Sequence, residues 1–152
     1  MKRTVPLVAM IALVAVACSS PDDQVSSTIG VALREQNAKE VRMTAVTDFE
    51  WDKLYLFDPY TPRSEICNVL GVQVKNCERV VPFESTDDGV MSMAFLSGTR
   101  VVRYSRHIRW NGDFTPSPKR QPIPAERAIF RVQPTGETRD GKPWLRLVLN
   151  EA

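Results

Sequence analysis

Apolar and polar residues alternate with a period of two in the middle of the chain, where residues 91–95 have the sequence Met-Ser-Met-Ala-Phe. Successive side chains of a strand point to opposite faces of a sheet, so this period is typical of a strand with one larger apolar face. Ser97 and Gly98 then form a turn signal, and residues 101–108 supply a second apolar segment. The pattern predicts a β-hairpin.

A second hairpin is predicted near the C-terminus, where residues 128–132 and 144–149 flank the stretch 134–143. Between the two hairpins, residues 114–124 are rich in proline, which has no N–H to donate to a sheet. We expect an ordered, extended loop wrapped over the sheet. The alternative is an exposed segment that a partner binds as a peptide. The prolines of this segment are Pro116, Pro118, Pro122 and Pro124.

Residues 48–61 have the sequence Asp-Phe-Glu-Trp-Asp-Lys-Leu-Tyr-Leu-Phe-Asp-Pro-Tyr-Thr, which combines aromatic residues with alternating carboxylates. Residues 53–57 are apolar apart from Lys53, which predicts a buried strand. Asp58 and Pro59 end this strand, because proline cannot donate a ladder hydrogen bond. The stretch belongs either to the core or to a recognition surface. That surface would consist of Trp51, Asp52 and Tyr60.

The carboxylates of Asp48, Glu50 and Asp52 recur at every second position, so an extended chain would place them on one side. Such oxygens suit a hard cation, but Lys53 stands where a calcium loop requires glycine. We therefore predict a solvated or ion-paired edge, and neither a metal site nor another cofactor.

Two helices are predicted in the N-terminal half. Thr61 is expected to cap the second of them, with Pro62 at its first position and Gly71 as its stop. The first is predicted over residues 30–42, with Ser27 or Thr28 as its cap. Together these elements predict an α+β fold: one or two N-terminal helices packed on an antiparallel sheet of about five strands built from hairpins. An all-β barrel with a helical lid is the alternative.

The N-terminal residues of the chain predict that the protein is exported. Lys2 and Arg3 precede a thirteen-residue apolar run, which is too short to span a bilayer but suits a signal peptide. Ala15-Val16-Ala17-Cys18 resembles a bacterial lipobox, so we predict a signal peptide over residues 1–17 and lipidation of Cys18. The competing interpretation is ordinary secretion with cleavage after the Ala-x-Ala site.

The organisation of the mature chain follows from this cleavage. Residues 18–28 are predicted to form a lipidated flexible tether and residues 29–152 a single globular domain. Ser19 after the cysteine resembles outer-membrane sorting, with the domain facing the periplasm. Loss of Lys2 and Arg3 lowers the 20 basic residues to 18, equal to the 18 acidic ones, so the charge does not favour nucleic-acid binding.

The remaining charges are unevenly distributed. Residues 20–90 carry 7 basic and 13 acidic side chains, and residues 91–152 carry 11 basic and 5 acidic ones. We expect the two halves to form ion pairs with each other across the domain.

Two cysteines remain after lipidation, Cys67 and Cys77. An even number of thiols in an oxidising compartment predicts a disulfide. In the chain-entropy model, a loop of this size stabilises the fold by about 2.8 kcal/mol. A redox-active pair is the alternative.

Several cationic side chains lie close together in the second strand of the first hairpin. We consider an anion-binding site formed by Arg103, Arg106, His107 and Arg109, to hold a phosphate or a glycan carboxylate; the alternative is a solvated face. Arg106 falls on the apolar side of the predicted strand, where it needs a carboxylate such as Asp52 or Asp113. A bulge near Ser105 would instead return it to water.

The pattern Phe49-x-Trp51-Asp52-x-x-Tyr55-x-Phe57-x-Pro59-Tyr60-Thr61 resembles the opening signature of a family of small, uncharacterised bacterial lipoproteins. The resemblance continues through Gly71, Phe95, Val102, Arg106 and Gly112-Asp113-Phe114. It implies the fold and the lipid-anchored location, and it implies no activity, cofactor or catalytic residue.

The sequence contains no Gly-x-Ser-x-Gly, His-Glu-x-x-His, glycine-rich phosphate loop or Cys-x-x-Cys motif, so we predict no catalytic residues. We predict a non-catalytic, lipid-anchored cell-envelope protein that binds a protein partner. A first alternative is an inhibitor or immunity lipoprotein against a wall-degrading enzyme or toxin. A second is a small hydrolase that uses two carboxylates such as Asp48, Glu50 or Asp52.

Overall fold

The computed structural model describes residues 23–118 and 120–150. The predicted signal peptide, the lipidation site Cys18 and most of the predicted tether lie outside the described residues. The helices are α1 Gln24–Arg34, α2 Arg63–Val69 and α3 Cys77–Val80. The strands are β1 Glu40–Arg42, β2 Lys53–Phe57, β3 Val90–Ser97, β4 Arg100–Ile108, β5 Ile123–Pro124, β6 Ile129–Arg139 and β7 Lys142–Leu149.

The strands form two antiparallel sheets, one with the order β1-β6-β7 and one with the order β4-β3-β2-β5. The α+β class is therefore confirmed, as are the two hairpins β3–β4 and β6–β7. The prediction of about five strands in one sheet is wrong. The two additional strands are short, three residues in β1 and two in β5, and each is defined by its pairing with a distant strand.

Strand β3 lies in the middle of the four-stranded sheet, and both of its faces are covered. Met91, Met93 and Phe95 belong to a core that α1 and the three-stranded sheet close from one side. Ala94 and Leu96 belong to a second core, on the opposite face of the strand. The alternation seen in the sequence thus separates two cores rather than a core from solvent.

Helix α1 begins earlier than predicted. It starts at Gln24, within residues 18–28 that we assigned to a flexible tether, and it ends at Arg34. Its buried stripe consists of Val25, Ile29 and Leu33, spaced by four residues, and this stripe sets the position of the helix. The predicted caps are wrong: the Ser27 and Thr28 hydroxyls donate to carbonyl oxygens one turn earlier, inside the helical region.

Helix α2 begins after Pro62 without a cap from Thr61, so that prediction is wrong. The Thr61 hydroxyl donates to the Asp58 carbonyl instead, and the free Arg63 N–H donates to the Glu84 carboxylate at 2.6 Å. The predicted stop at Gly71 is confirmed. Gly71 has a φ of +67°, and the N–H of the following residue, Val72, donates to the Cys67 carbonyl at 2.8 Å.

A disulfide joins α2 to α3, which confirms the prediction for Cys67 and Cys77. Their Cα atoms lie 5.8 Å apart, and both residues are buried in the second core. The disulfide thereby fixes two helices of seven and four residues, which are too short to be stable alone in water.

The predicted pairing of the two charged halves is wrong. Of the salt bridges between described residues, only Arg120 with Glu65, at 3.1 Å, joins the two halves. The others are formed within one half, mostly between neighbours in the sequence. No helix in the described part of the chain is long and apolar enough to cross a bilayer.

Candidate functional site

The aromatic and acidic stretch 48–61 borders two separate depressions, one at each end of β2. Trp51 and Asp52 precede the strand and Tyr60 follows it, so five strand residues, about 16 Å, lie between them. The residues predicted as one recognition surface therefore divide between two places. The two depressions differ in whether the predicted recognition residues are held by contacts within the fold or are exposed.

At the first depression, both predicted recognition residues have structural contacts. The half-buried Trp51 ring packs edge-on against Phe95 with centroids 5.1 Å apart, and its Nε1 donates to the Thr47 hydroxyl at 2.9 Å. Asp52 Oδ2 accepts the Gly98 N–H at 2.7 Å and so fixes the β3–β4 turn. Trp51 thus packs against the core, and Asp52 stabilises the β3–β4 turn.

The alternating carboxylates lie beside this first depression. Asp48 accepts a hydrogen bond from the Gln24 side chain at 3.3 Å, while Glu50 is exposed. No group of three histidine, cysteine or carboxylate side chains in residues 23–118 and 120–150 is arranged to hold a metal ion.

The second depression, which we call the Tyr60 pocket, has a volume of about 210 Å³. It lies where the β2–α2 connection meets the proline-rich segment. Asp58 Oδ1 accepts the Ser117 N–H at 3.0 Å, and Arg120 pairs with Glu65 at 3.1 Å. These two contacts hold the proline-rich segment against the connection. The pocket is lined by Leu56, Phe57, Asp58, Pro59, Tyr60, Thr61, Pro62, Glu65, Ser117 and Arg120.

Tyr60 is the most unusual residue of this pocket. Its φ is +64°, a left-handed conformation that costs a bulky residue about 1–2 kcal/mol, and 57% of the residue is exposed. The backbone is held in place because the Tyr60 N–H donates to the Ser85 carbonyl at 3.1 Å and the Thr61 N–H to the Asp58 carbonyl at 3.3 Å. Partial desolvation, and then the neighbouring Asp88 carboxylate, raise the pKa of the Tyr60 hydroxyl.

The structure does not bring the four predicted anion-binding residues together. The β-bulge lies at Val102 rather than near Ser105, and β4 beyond it alternates between the two cores. The Arg103 guanidinium lies 4.8 Å from the centre of the Phe49 ring, and the Arg106 guanidinium lies 4.8 Å from that of Phe83. The two arginines contact different cores.

Arg106 is exposed, so the interpretation with a buried ion pair to Asp52 or Asp113 is wrong, and Arg106 faces water as the alternative expected, although the bulge lies at Val102. His107 is fully buried, and its Nε2 lies at hydrogen-bond distance from the Gly112 carbonyl oxygen. Burial lowers the pKa of His107 to about 4, against smaller upward effects of the Gly112 carbonyl and Asp113. A neutral, enclosed imidazole cannot bind an anion from solution.

Arg109 belongs to a buried network around Asp113 that sequence reasoning missed. Asp113 is 2% exposed and accepts hydrogen bonds from Arg109 Nε at 3.0 Å, from Arg109 Nη2 at 2.9 Å and from Trp144 Nε1 at 2.8 Å. The backbone and hydroxyl of Thr115 donate to it as well. Burial alone would raise the pKa of Asp113, but these hydrogen bonds outweigh it and the pKa is lowered.

The Asp113 network connects the end of β4 to β7 in the other sheet. The only sequence signal for it was the i,i+4 spacing of Arg109 and Asp113, which lies outside any helix that the pattern predicted. Gly112 is required beside it: its φ is +141°, and a Cβ atom there would lie 2.6 Å from a Leu147 methyl carbon. The network therefore has a structural role, and its carboxylate is closed to ligands.

Comparison with protein-family models, with curated proteins and with solved structures finds no significant match for this chain. The fold and the site together define a small α+β domain with one disulfide between described residues, in which Tyr60 combines an exposed aromatic side chain with a left-handed backbone.

Proposed function

We propose that this protein is a non-catalytic, lipid-anchored cell-envelope protein that binds a protein partner through the Tyr60 pocket. Anchoring through Cys18 rests on the lipobox, and the outer membrane facing the periplasm is the proposed location. Because α1 begins only six residues after Cys18, the domain would be held close to the membrane surface. Multiple acyl chains on the cysteine would make this attachment stable.

The observation that carries the binding role is the conformation of Tyr60. An exposed aromatic side chain contributes little to the core, and asparagine or glycine would adopt the same backbone at lower cost. A tyrosine kept in this conformation, with its loop held by hydrogen bonds on both sides, suits a function that needs the ring itself. Tyrosine is among the residues enriched at the energetic centres of protein interfaces.

Support for a non-catalytic role comes from the positions of the polar groups. The single histidine is buried, and the most strongly hydrogen-bonded carboxylate, Asp113, is enclosed. Among the titratable groups that line the Tyr60 pocket, Glu65 and Arg120 are already paired with each other. We infer that the pocket recognises its partner without chemical change.

The test is affinity purification of the full chain from detergent-solubilised envelopes, with wild type, Tyr60→Ala and Val74→Ala compared. Val74, 93% exposed on the turn before α3, is the matched control because it is also an exposed apolar side chain. We expect wild type and Val74→Ala to recover the same partner and Tyr60→Ala to lose it at least tenfold. Equal recovery by all three proteins, or no partner above background with wild type, would reject the proposal.

A further inference from the structure

A groove of about 400 Å³ lies between the C-terminal end of α1 and the β6–β7 hairpin, and it shares no lining residue with the Tyr60 pocket. Its volume falls within the range of small-molecule sites, about 300–1,000 Å³. The apolar part of its lining includes Leu33, Val132 and Leu145. Neither Val132 nor Leu145 is fully buried, so part of this apolar surface faces the groove.

Three cationic side chains, Arg34, Lys39 and Lys142, also line the groove, and its lining contains no aspartate or glutamate. None of the three forms a salt bridge with a described carboxylate. Positive charge and apolar surface therefore coexist here without a countercharge. Arg109 and Arg120, by contrast, each have an acidic partner.

Arg34 is held rigidly in this position. Its Nη1 donates to the Pro143 carbonyl at 2.8 Å, its Nη2 donates to the Trp110 carbonyl at 2.9 Å, and its guanidinium lies 3.9 Å from the Trp110 ring centre. Its Nε is buried and has no hydrogen-bond partner among the described residues. Partial burial of the guanidinium lowers its pKa, as expected for a cation whose countercharge is missing.

We propose that this groove binds a single-chain fatty carboxylate, with the acyl chain against the apolar lining and the carboxylate held by the cationic rim. A small hydrophilic anion fits the groove less well than an amphiphile, because it would leave the apolar lining exposed to water. The three cations, none with a described carboxylate partner, favour an anionic amphiphile over a cationic or neutral one, because only an anion forms charge-assisted contacts with them. This site is independent of the proposed role of Tyr60.

The experiment uses the full chain in its membrane and a dodecanoate that carries a photoreactive diazirine near the end of its chain. After irradiation, peptides are mapped by mass spectrometry. We expect adducts on residues of α1, β6 and β7 that line the groove, and competition by unlabelled dodecanoate but not by hexanoate, whose chain is too short to cover the apolar lining.

Variants separate specific binding from partition into the membrane. Lys39→Glu with Lys142→Glu should reduce the groove adducts at least tenfold. Lys75 is also exposed but does not line the groove, so Lys75→Glu should leave the adducts unchanged. Protease resistance of each variant checks that it is folded. The proposal is overturned by adducts distributed equally outside the groove, by an absence of adducts, by equal labelling in the double variant, or by equal labelling with a diazirine-bearing dodecyltrimethylammonium.

Discussion

Protonation of His107 should destabilise the fold between pH 6.5 and pH 4. The ordinary pKa of 6.5 applies to the unfolded chain, and burial lowers the pKa of the folded protein to about 4. Between these values the unfolded chain binds a proton that the folded protein does not. The contribution of His107 to the unfolding free energy is therefore fully present above pH 6.5 and is lost as the pH falls towards 4.

The magnitude follows from the difference between the two pKa values. Each unit corresponds to about 1.4 kcal/mol, so the full effect is about 3 kcal/mol, and the slope near pH 5.5 is about 1 kcal/mol per pH unit. His107 is the only histidine, so no other imidazole contributes to this range. Carboxylates with lowered pKa values, such as Asp113, lose their contribution at lower pH.

The assay is urea unfolding, followed by tryptophan fluorescence, at half-unit steps from pH 7.5 to pH 4.5. His107→Gln is the control, because its amide retains a donor for the Gly112 carbonyl but does not titrate. Wild type should show the slope, and the variant should be less stable at pH 7 but nearly independent of pH down to pH 5. A flat profile for wild type, or an identical slope in the variant, would refute the assignment.

Three further predictions concern the unfolding free energy, measured by urea denaturation at pH 7. Asp113→Asn should lower it by about 3 kcal/mol, because the partly buried Arg109 guanidinium loses its countercharge; a loss below 1 kcal/mol would contradict the structural role. Gly112→Ala should cost about 3 kcal/mol and the control Gly136→Ala, which has a positive φ but open space, about 1 kcal/mol; equal losses would show that contact with the core is irrelevant. Replacing both Cys67 and Cys77 with serine should lower the unfolding free energy by about 2–3 kcal/mol. As an internal check, this loss should be no greater than the loss that wild type shows after reduction with dithiothreitol.

Local sequence patterns were sufficient to predict the strands and turns whose signals come from neighbouring residues. The alternation in residues 91–95, the turn at Gly98 and the stop at Gly71 each result from neighbours in the sequence, and each was predicted. Strand β1 was predicted as part of a helix because its three residues have no period of their own. It is a strand because Val41 pairs with Phe130, almost ninety residues later.

The parts of the site that were missed depend on contacts between distant segments. The Asp113 network needs Trp144 from the other sheet, and the start of α2 needs Glu84 from a loop. The cationic residues of β4 were grouped by their spacing, but the bulge at Val102 and the burial of His107 separate them. Tyr60 was included in the predicted surface for its residue type, although its left-handed backbone is visible only in three dimensions.

We propose that the domain works at a membrane to which Cys18 attaches it. Cells that express the full chain can be grown with radiolabelled palmitate, fractionated and compared with cells that express Cys18→Ser. We expect a labelled wild-type protein in the outer-membrane fraction and an unlabelled variant. An unlabelled wild-type protein recovered with cytosolic proteins would contradict it.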